Sequence, residues 1–349
     1  MRKLTIELGK HSYAIQIEDD ILFHLSFYIK KIYKNKKIFI ITDDMVAPLY
    51  LDTVTEDLKK YYEVEAIILP HGEQTKSIEI YSSTISKLLD KNIKRNELLV
   101  ALGGGVIGDL TGFIAATLYR GLPYVGVPTT LLSQMDSSIG GKTGIDFYQR
   151  KNILGCFKQP RLVLIDPKAL DTLSKEEFSN GMGELIKHAI IGNPSLFQAL
   201  SSKPKIDENI IYESLIVKKR VVELDEFDQK ERMLLNFGHT FGHSIELEQG
   251  LKHGQAVALG MLMAIQMGVD FGLTNSNVYD KVVHILKLYD LPTKLLNYKA
   301  YFNQVIYDKK NLAGTLQFVL VKDIGEAFLY PIAEDKIKEL LSNEGHHSS

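Results

Sequence analysis

Apolar residues in the first half of the chain fall into short unbroken runs. In the second half they fall into stripes with a helical period. Lys37–Asp44 (KIFIITDD), Val64–Pro70, Leu98–Gly105 (LLVALGGG), Tyr124–Thr130 and Arg161–Asp166 each carry a continuous apolar stretch. Such runs suit strands buried on both faces. The segments Ser77–Asp90 and Val106–Arg120 between them show the spacing of amphipathic helices. This alternation predicts an α/β fold with a doubly wound, largely parallel sheet. Beyond about residue 172 long amphipathic patterns dominate: Lys175–Leu200, Asp207–Glu226, Leu234–Glu248, His253–Phe271 and Val278–Leu288. Only Gln317–Val321 and Ala327–Ile332 read as strands there, a small hairpin. The expected organisation is an N-terminal Rossmann-like domain over 1–172 and a mostly α-helical domain over 173–349.

Composition narrows the function classes. Of 349 residues, 45% are hydrophobic and 24% charged, enough for a real core and unlike a disordered chain. A net charge of −2 argues against a nucleic-acid coat but leaves room for a small anion held by local cations. The single cysteine, Cys156, excludes an intramolecular disulfide and a cysteine-rich zinc site, and fits a reducing compartment. The first twenty residues lack a continuous apolar run. The most apolar stretch, Ala256 to Ile265, stops at Gln266, too short to cross a bilayer. The expected location is cytoplasmic, with no membrane and no nucleic-acid partner.

Two groups of residues carry candidate chemistry. LLVALGGGVIGDLTGF joins a strand, a glycine turn and a helix start, and Gly103, Gly105 and Gly108 spell G-x-G-x-x-G. Glycines let the backbone approach a pyrophosphate, and the helix start offers unpaired N–H groups. A tight βα turn without ligand uses the same pattern. The common fingerprint follows the first strand and has an acid about 20 residues later. Here the next strand ends in Thr129 and Thr130, which leaves Asp43, at the end of the first long strand, as the candidate for a ribose hydroxyl. Glu73 and Lys76 in HGEQTK either add ribose and phosphate contacts or belong to a solvated loop.

The second group is rich in histidine. Glu184, Lys187 and His188 lie at i, i+3 and i+4, His239 and His243 are four apart, and His253 opens the next helix. A carboxylate with two imidazoles leaves an open position on zinc. Spacing alone favours His239 with His243, and several sets of three ligands stay open, because a helical histidine also packs or caps. Lys142, Lys151 with Asn152, Lys187, Lys218 to Arg220, Arg232 and the pair Lys309–Lys310 suggest a pocket for a substrate bearing a carboxylate and a phosphate.

In these words the chain resembles the 3-dehydroquinate synthases. The matching stretches are GEQTK, GGGVIGD, the arginine of LYRG, VPTTLLSQMDSSIGGKTGID, KN, GMGELIKH, KKRVVELDEFDQKERMLLNFGHTFGHSIE, LKHGQAVALGM and DKKN, in order from about residue 42 to 314. The resemblance implies a homodimeric carbon–oxygen lyase acting on a phosphorylated sugar acid. It would convert 3-deoxy-D-arabino-heptulosonate 7-phosphate to 3-dehydroquinate and phosphate in the shikimate route to aromatic amino acids. The implied cofactors are NAD and a divalent metal, zinc or, as the alternative, cobalt.

Carried over residue by residue, the resemblance implies Glu184, His239 and His253 as metal ligands, and His243 as the acid/base histidine. Lys142, Lys187 and Asp228 join His243 in the catalytic group. Asp136, Lys142, Asn152, Lys187, Lys218, Arg232, Asn236 and Lys310 match substrate-binding positions, and Arg120 resembles an arginine that reaches the neighbouring subunit's substrate phosphate. The cofactor set is Asp43, Glu73, Lys76, Gly105, Val106, Gly108, Asp109, Thr129, Thr130 and Lys151. His188 receives no role. One departure stands out: Asp228 sits where a glutamate is usual, a carboxylate shortened by one methylene. A polyol or glycerol phosphate dehydrogenase, a non-catalytic sensor of metal and nucleotide, and cyclases that close other rings are the competing readings.

Overall fold

The computed structural model of the chain describes residues 1–333 apart from 149, 295 and 302–314. The chain forms two compact units. One comprises Met1–Ser174 with Ile206–Leu215, the other Lys175–Lys205 with Ile216–Ser349.

The first unit holds strands β1 (Arg2–Ile6), β2 (Tyr13–Ile17), β3 (Lys37–Asp43), β4 (Glu63–Leu69), β5 (Leu98–Gly103), β6 (Tyr124–Pro128), β7 (Lys142–Phe147), β8 (Arg150–Phe157) and β9 (Leu162–Ile165). Helices α1 (Leu25–Ile32), α2 (Asp52–Lys59), α3 (Ile78–Asp90) and α4 (Gly105–Thr117) accompany them. Seven strands make one sheet in the order β1-β2-β9-β6-β5-β3-β4. It is parallel throughout except for β1, which pairs antiparallel with β2 at the edge.

The sheet's two faces explain the unbroken apolar runs. Successive residues of a strand point to opposite faces. On β3 and β5, Ile38, Ile40, Leu98 and Val100 pack with Leu25, Ile29, Val54 and Leu58 from α1 and α2. Phe39, Ile41, Leu99 and Ala101 pack the other way, with Leu88 of α3 and Ile107, Leu110 and Ile114 of α4. Every residue of β5 is buried. Each buried Leu, Ile, Val or Phe among them contributes about 1.5–3 kcal/mol relative to exposure.

A second, two-stranded sheet pairs β7 antiparallel with β8. Sequence patterning does not announce this hairpin, since Gly144 and Gly155 sit opposite each other in its middle and interrupt any alternation.

The second unit is built from α5 (Lys175–Gly192), α6 (Pro194–Leu200), the later turns of α7 (Glu208–Leu224), α8 (His239–Gln249), α9 (His253–Asp270) and α10 (Asn277–Leu288). An antiparallel hairpin of β10 (Thr315–Val321) and β11 (Ala327–Ala333) completes it. Helix α9 is buried on all sides from Ala256 to Ile265, the signature of a central helix. Among the described residues no helix is long and apolar enough to cross a membrane.

Candidate metal centre and nucleotide crevice

In the first unit the chain runs from β3 outward to β4, then returns to lay β5 on the other side of β3. The carboxyl ends of β3 and β5 therefore flank a topological switch point, where open α/β sheets hold their ligands. This accounts for a glycine turn after β5, the third of the long parallel strands, rather than after the first. Helix α4 starts there at Gly105, and no side chain caps its first turn. Its N–H groups and positive dipole end suit a phosphate. A Cβ at Gly105 would lie 2.9 Å from Ser137 Oγ, whereas Gly108 faces open space. Val106 belongs to the same first turn.

Around that turn the structure gathers most of the expected cofactor set. Thr129 donates its N–H to the Gly103 carbonyl (3.1 Å), tying the end of β6 to the glycine turn. Thr130 Oγ1 lies 2.9 Å from Ser133 Oγ. Asp43 is buried, and its Oδ1 accepts the N–H groups of Met45 (3.0 Å) and Val46 (2.8 Å), so one carboxylate oxygen closes its own turn. Burial raises its pKa despite those two donors.

Lys76 is buried, with Nζ 2.9 Å from Asp109 Oδ2 and 3.6 Å from Glu73 Oε1. The same ammonium donates to Asn152 Oδ1. Burial alone would lower its pKa, but the Asp109 and Glu73 carboxylates outweigh burial and hold it above the usual lysine value. Asn152 arrives on β8 with φ at +54°. The hairpin is fixed over this loop by the Asp146 N–H, which donates to the Lys76 carbonyl (2.7 Å). Lys142 and Lys151 lie exposed on the same hairpin, and Arg120, exposed with φ at +63°, follows α4. Asp136 lies half-buried in the turn that follows Thr130.

A cavity of about 440 Å³ opens elsewhere, at the amino ends of β3, β5, β6 and β9. Lys34, Arg95, Lys158 and Arg161 line it. It lies at the opposite ends of these strands from the glycine turn.

The second unit brings three helices to one point. Glu184 is fully buried on α5. His239 opens α8 and His253 opens α9, and the Nε2 atoms of both lie 3.5 Å from Glu184 Oε1. One ligand atom from each of the three residues falls within 4.8 Å of the others. Both imidazoles are anchored through Nδ1. That of His239 is 3.2 Å from the Phe237 carbonyl, and that of His253 is 3.1 Å from Glu246 Oε2. A carbonyl or carboxylate partner needs a donor, so Nδ1 carries a proton in each ring, and Nε2, the atom facing Glu184, is the one a cation would take in place of a proton. The donor set fits a divalent ion of the zinc type with one position open.

Local sequence sets this convergence. Gly238, with φ at +79°, turns the chain into α8, and a Cβ there would meet the Val257 carbonyl oxygen at 2.8 Å. The Gly254 N–H donates to Asn180 Oδ1 (2.7 Å), which pins the start of α9 to α5.

Electrostatics separates the two imidazoles. Burial and the Lys187 ammonium push His239 down to about 3. Burial would also lower His253, but hydrogen bonds to Glu184 and Glu246 push it up to about 9. Lys187 is itself buried and ion-paired to Glu184.

The histidine with the right sequence spacing falls outside the triad. His243 is exposed, its ring centroid 5.5 Å from that of His239 and 6.3 Å from that of His253. Lys218 and Arg232 are buried in the same unit, and Asn236 is exposed. Arg232 Nη1 donates to the Glu226 carbonyl (2.8 Å), and Asp228 holds φ +58° in the loop between them. His188 is fully buried on α5. Lys309 and Lys310 lie outside the described residues. Glu246 was not singled out by sequence reasoning, although it lies at i+7 from His239 and i+3 from His243, on the same helical face.

Comparison with known proteins decides the family. A family model for the 3-dehydroquinate synthase N-terminal region matches residues 66–180, and one for the 3-dehydroquinate synthase C-terminal region matches residues 181–311. A 3-dehydroquinate synthase from Clostridium beijerinckii is 42% identical over 94% of this chain and 97% of its own. The chain belongs to the 3-dehydroquinate synthase family.

Among solved structures, a 2-deoxy-scyllo-inosose synthase complexed with carbaglucose-6-phosphate, NAD+ and Co2+ superposes with a TM-score of 0.86. It is 24% identical and covers 98% of this chain and all of that one. The 2-epi-5-epi-valiolone synthase of Streptomyces hygroscopicus subsp. jinggangensis, with NAD+ and Zn2+ bound, gives a TM-score of 0.84 at 25% identity, over 95% of this chain and 96% of that one. The fold is thus shared with a 2-deoxy-scyllo-inosose synthase and a 2-epi-5-epi-valiolone synthase.

Proposed function

We propose that the chain is a 3-dehydroquinate synthase, converting 3-deoxy-D-arabino-heptulosonate 7-phosphate to 3-dehydroquinate and phosphate. The conversion proceeds by oxidation, phosphate elimination, re-reduction and intramolecular aldol closure. The observation that carries this reading is the Glu184–His239–His253 triad in a chain 42% identical to a 3-dehydroquinate synthase along nearly its whole length. Identity to the cyclases that close other rings is 24–25%.

Glu184, His239 and His253 hold the divalent ion, and the glycine turn, Asp43 and the Lys76 cluster hold NAD. When bound there, NAD would supply reversible hydride transfer and the divalent ion Lewis acidity. His243 moves a proton at an imidazole nitrogen, its ring exposed beside the triad. Lys187, buried against Glu184, donates to a substrate oxygen. Lys142, Asn152 and Lys310 bind phosphate, while Lys218, Arg232 and Asn236 orient the carboxylate and hydroxyls. Arg120 serves the neighbouring subunit of a homodimer, and the enzyme works in the cytoplasm. Holding these groups together and keeping water out is the protein's main contribution to rate.

The test incubates the chain with NAD, zinc and the heptulosonate phosphate. Phosphate release without net accumulation of NADH is expected. Stoichiometric NADH would identify a simple dehydrogenase, and absence of turnover by folded, metal-loaded protein would overturn the proposal.

A further inference from the structure

We infer that Glu246 is a positioning residue for the metal centre: its carboxylate fixes the tautomer and ring orientation of His253. The inference rests on the proposed metal site and adds a residue to it. Three observations carry it. Glu246 Oε2 lies 3.1 Å from His253 Nδ1, while Nε2 of the same ring lies 3.5 Å from Glu184 Oε1. One ring thus spans two carboxylates, one on each nitrogen. An ionised carboxylate only accepts, so Glu246 requires the proton on Nδ1 and leaves the Nε2 lone pair to a cation. Second, the other imidazole is handled in the same way, with Nδ1 of His239 at 3.2 Å from the Phe237 carbonyl. Third, the backbone at His253 is already fixed by Asn180 Oδ1 on the Gly254 N–H, so what remains free is rotation of the ring. Glu246 removes that freedom.

The placement is also economical in sequence. Helix α8 presents His239, His243 and Glu246 at i, i+4 and i+7. One face therefore supplies a ligand, the proton carrier and the support for a ligand on the next helix. A carboxylate behind a metal-bound imidazole raises its basicity as well as aiming it. A bond that serves only the fold would stabilise the chain and leave metal affinity unchanged, and that difference is measurable.

The experiment measures Zn2+ and Co2+ affinity of the full chain by competition with a chromophoric chelator, for wild type, Glu246→Ala, Glu246→Gln and His253→Ala. Glu246→Ala is expected to bind about 10–100-fold more weakly. Glu246→Gln keeps a neutral acceptor of the same shape, so it should fall between Glu246→Ala and wild type and fold normally. The visible spectrum of the Co2+-loaded Glu246→Ala chain should shift, because the ligand field changes with ring orientation. Wild-type affinity in both Glu246 variants, with His253→Ala still impaired, would overturn the inference while leaving the metal site intact. Equal affinity in all four proteins would sink the metal site itself.

Discussion

The contact between α5 and α9 gives a sharp test of how the metal centre is built. A Cβ added to Gly254 would stand 2.8 Å from the Asn180 carbonyl carbon and 3.1 Å from its Oδ1, with the carbonyl oxygen nearer still. Carbon–carbon contacts are comfortable at about 3.5–4.0 Å, so the helices must part by about 1 Å. The obstacle is backbone, which cannot swing aside as a side chain would. Overpacking of this kind costs about 1–3 kcal/mol. For a unit of this size that lowers the melting temperature by roughly 2–12 °C. The functional effect should exceed the loss of stability. Metal ligands tolerate displacements of about 0.2 Å, and a shift of about 1 Å at Gly254 carries His253 away from Glu184. Gly254→Ala should therefore fold with a lowered melting temperature and fail to retain zinc through gel filtration, assayed by elemental analysis. Wild-type zinc content together with an unchanged melting temperature would refute the idea that close helix approach assembles the triad.

Other expectations follow from the same geometry. Gly108 faces open space on a helix, so Gly108→Ala should leave stability unchanged or raise it by up to about 1 kcal/mol. The added methyl should still weaken NAD binding, read by calorimetry; undiminished affinity would place the cofactor elsewhere. His253→Ala should lose tightly bound metal and keep its circular dichroism spectrum, whereas His243→Ala should keep metal and lose turnover. Metal loss in His243→Ala instead would restore the ligand set that spacing favours. Asp225 accepts backbone N–H groups from Gln229 (3.0 Å), Lys230 (2.6 Å) and Arg232 (3.3 Å). Burial opposes ionisation, but these donors and Arg232 hold its pKa below the usual value. A depressed carboxylate stabilises the fold above its unfolded pKa, and that contribution is lost as pH falls through the folded value. Asp225→Asn should melt below wild type at pH 7, with the gap closing in acid; a gap independent of pH would exclude this account.

The sequence by itself determined the elements and the types of chemistry. The unbroken run Lys37–Asp43 had to be a strand covered on both faces, and Ala256–Ile265 had to be a helix buried all round, because each pattern leaves no polar side to give to water. It also supplied the glycine turn after β5 and the inventory of carboxylate and imidazoles. Partnership was decided only in three dimensions. Periodicity says which residues share a face of one helix, and so it favoured His239 with His243. The proposed triad instead draws one candidate ligand from each of α5, α8 and α9, and their meeting point depends on close contacts such as Gly254 against Asn180. Strand order was hidden for the same reason. Nothing in LLVALGGG states that β5 lies beside β3, yet that adjacency makes the switch point and brings the end of the strand bearing Asp43 beside the glycine turn. The place of Ile206–Leu215 in the first unit likewise rests on packing between distant segments, whereas the β7–β8 hairpin is local and was hidden by the glycines paired at its centre. Local patterns record what each segment must bury; which surface buries it is a property of the whole chain.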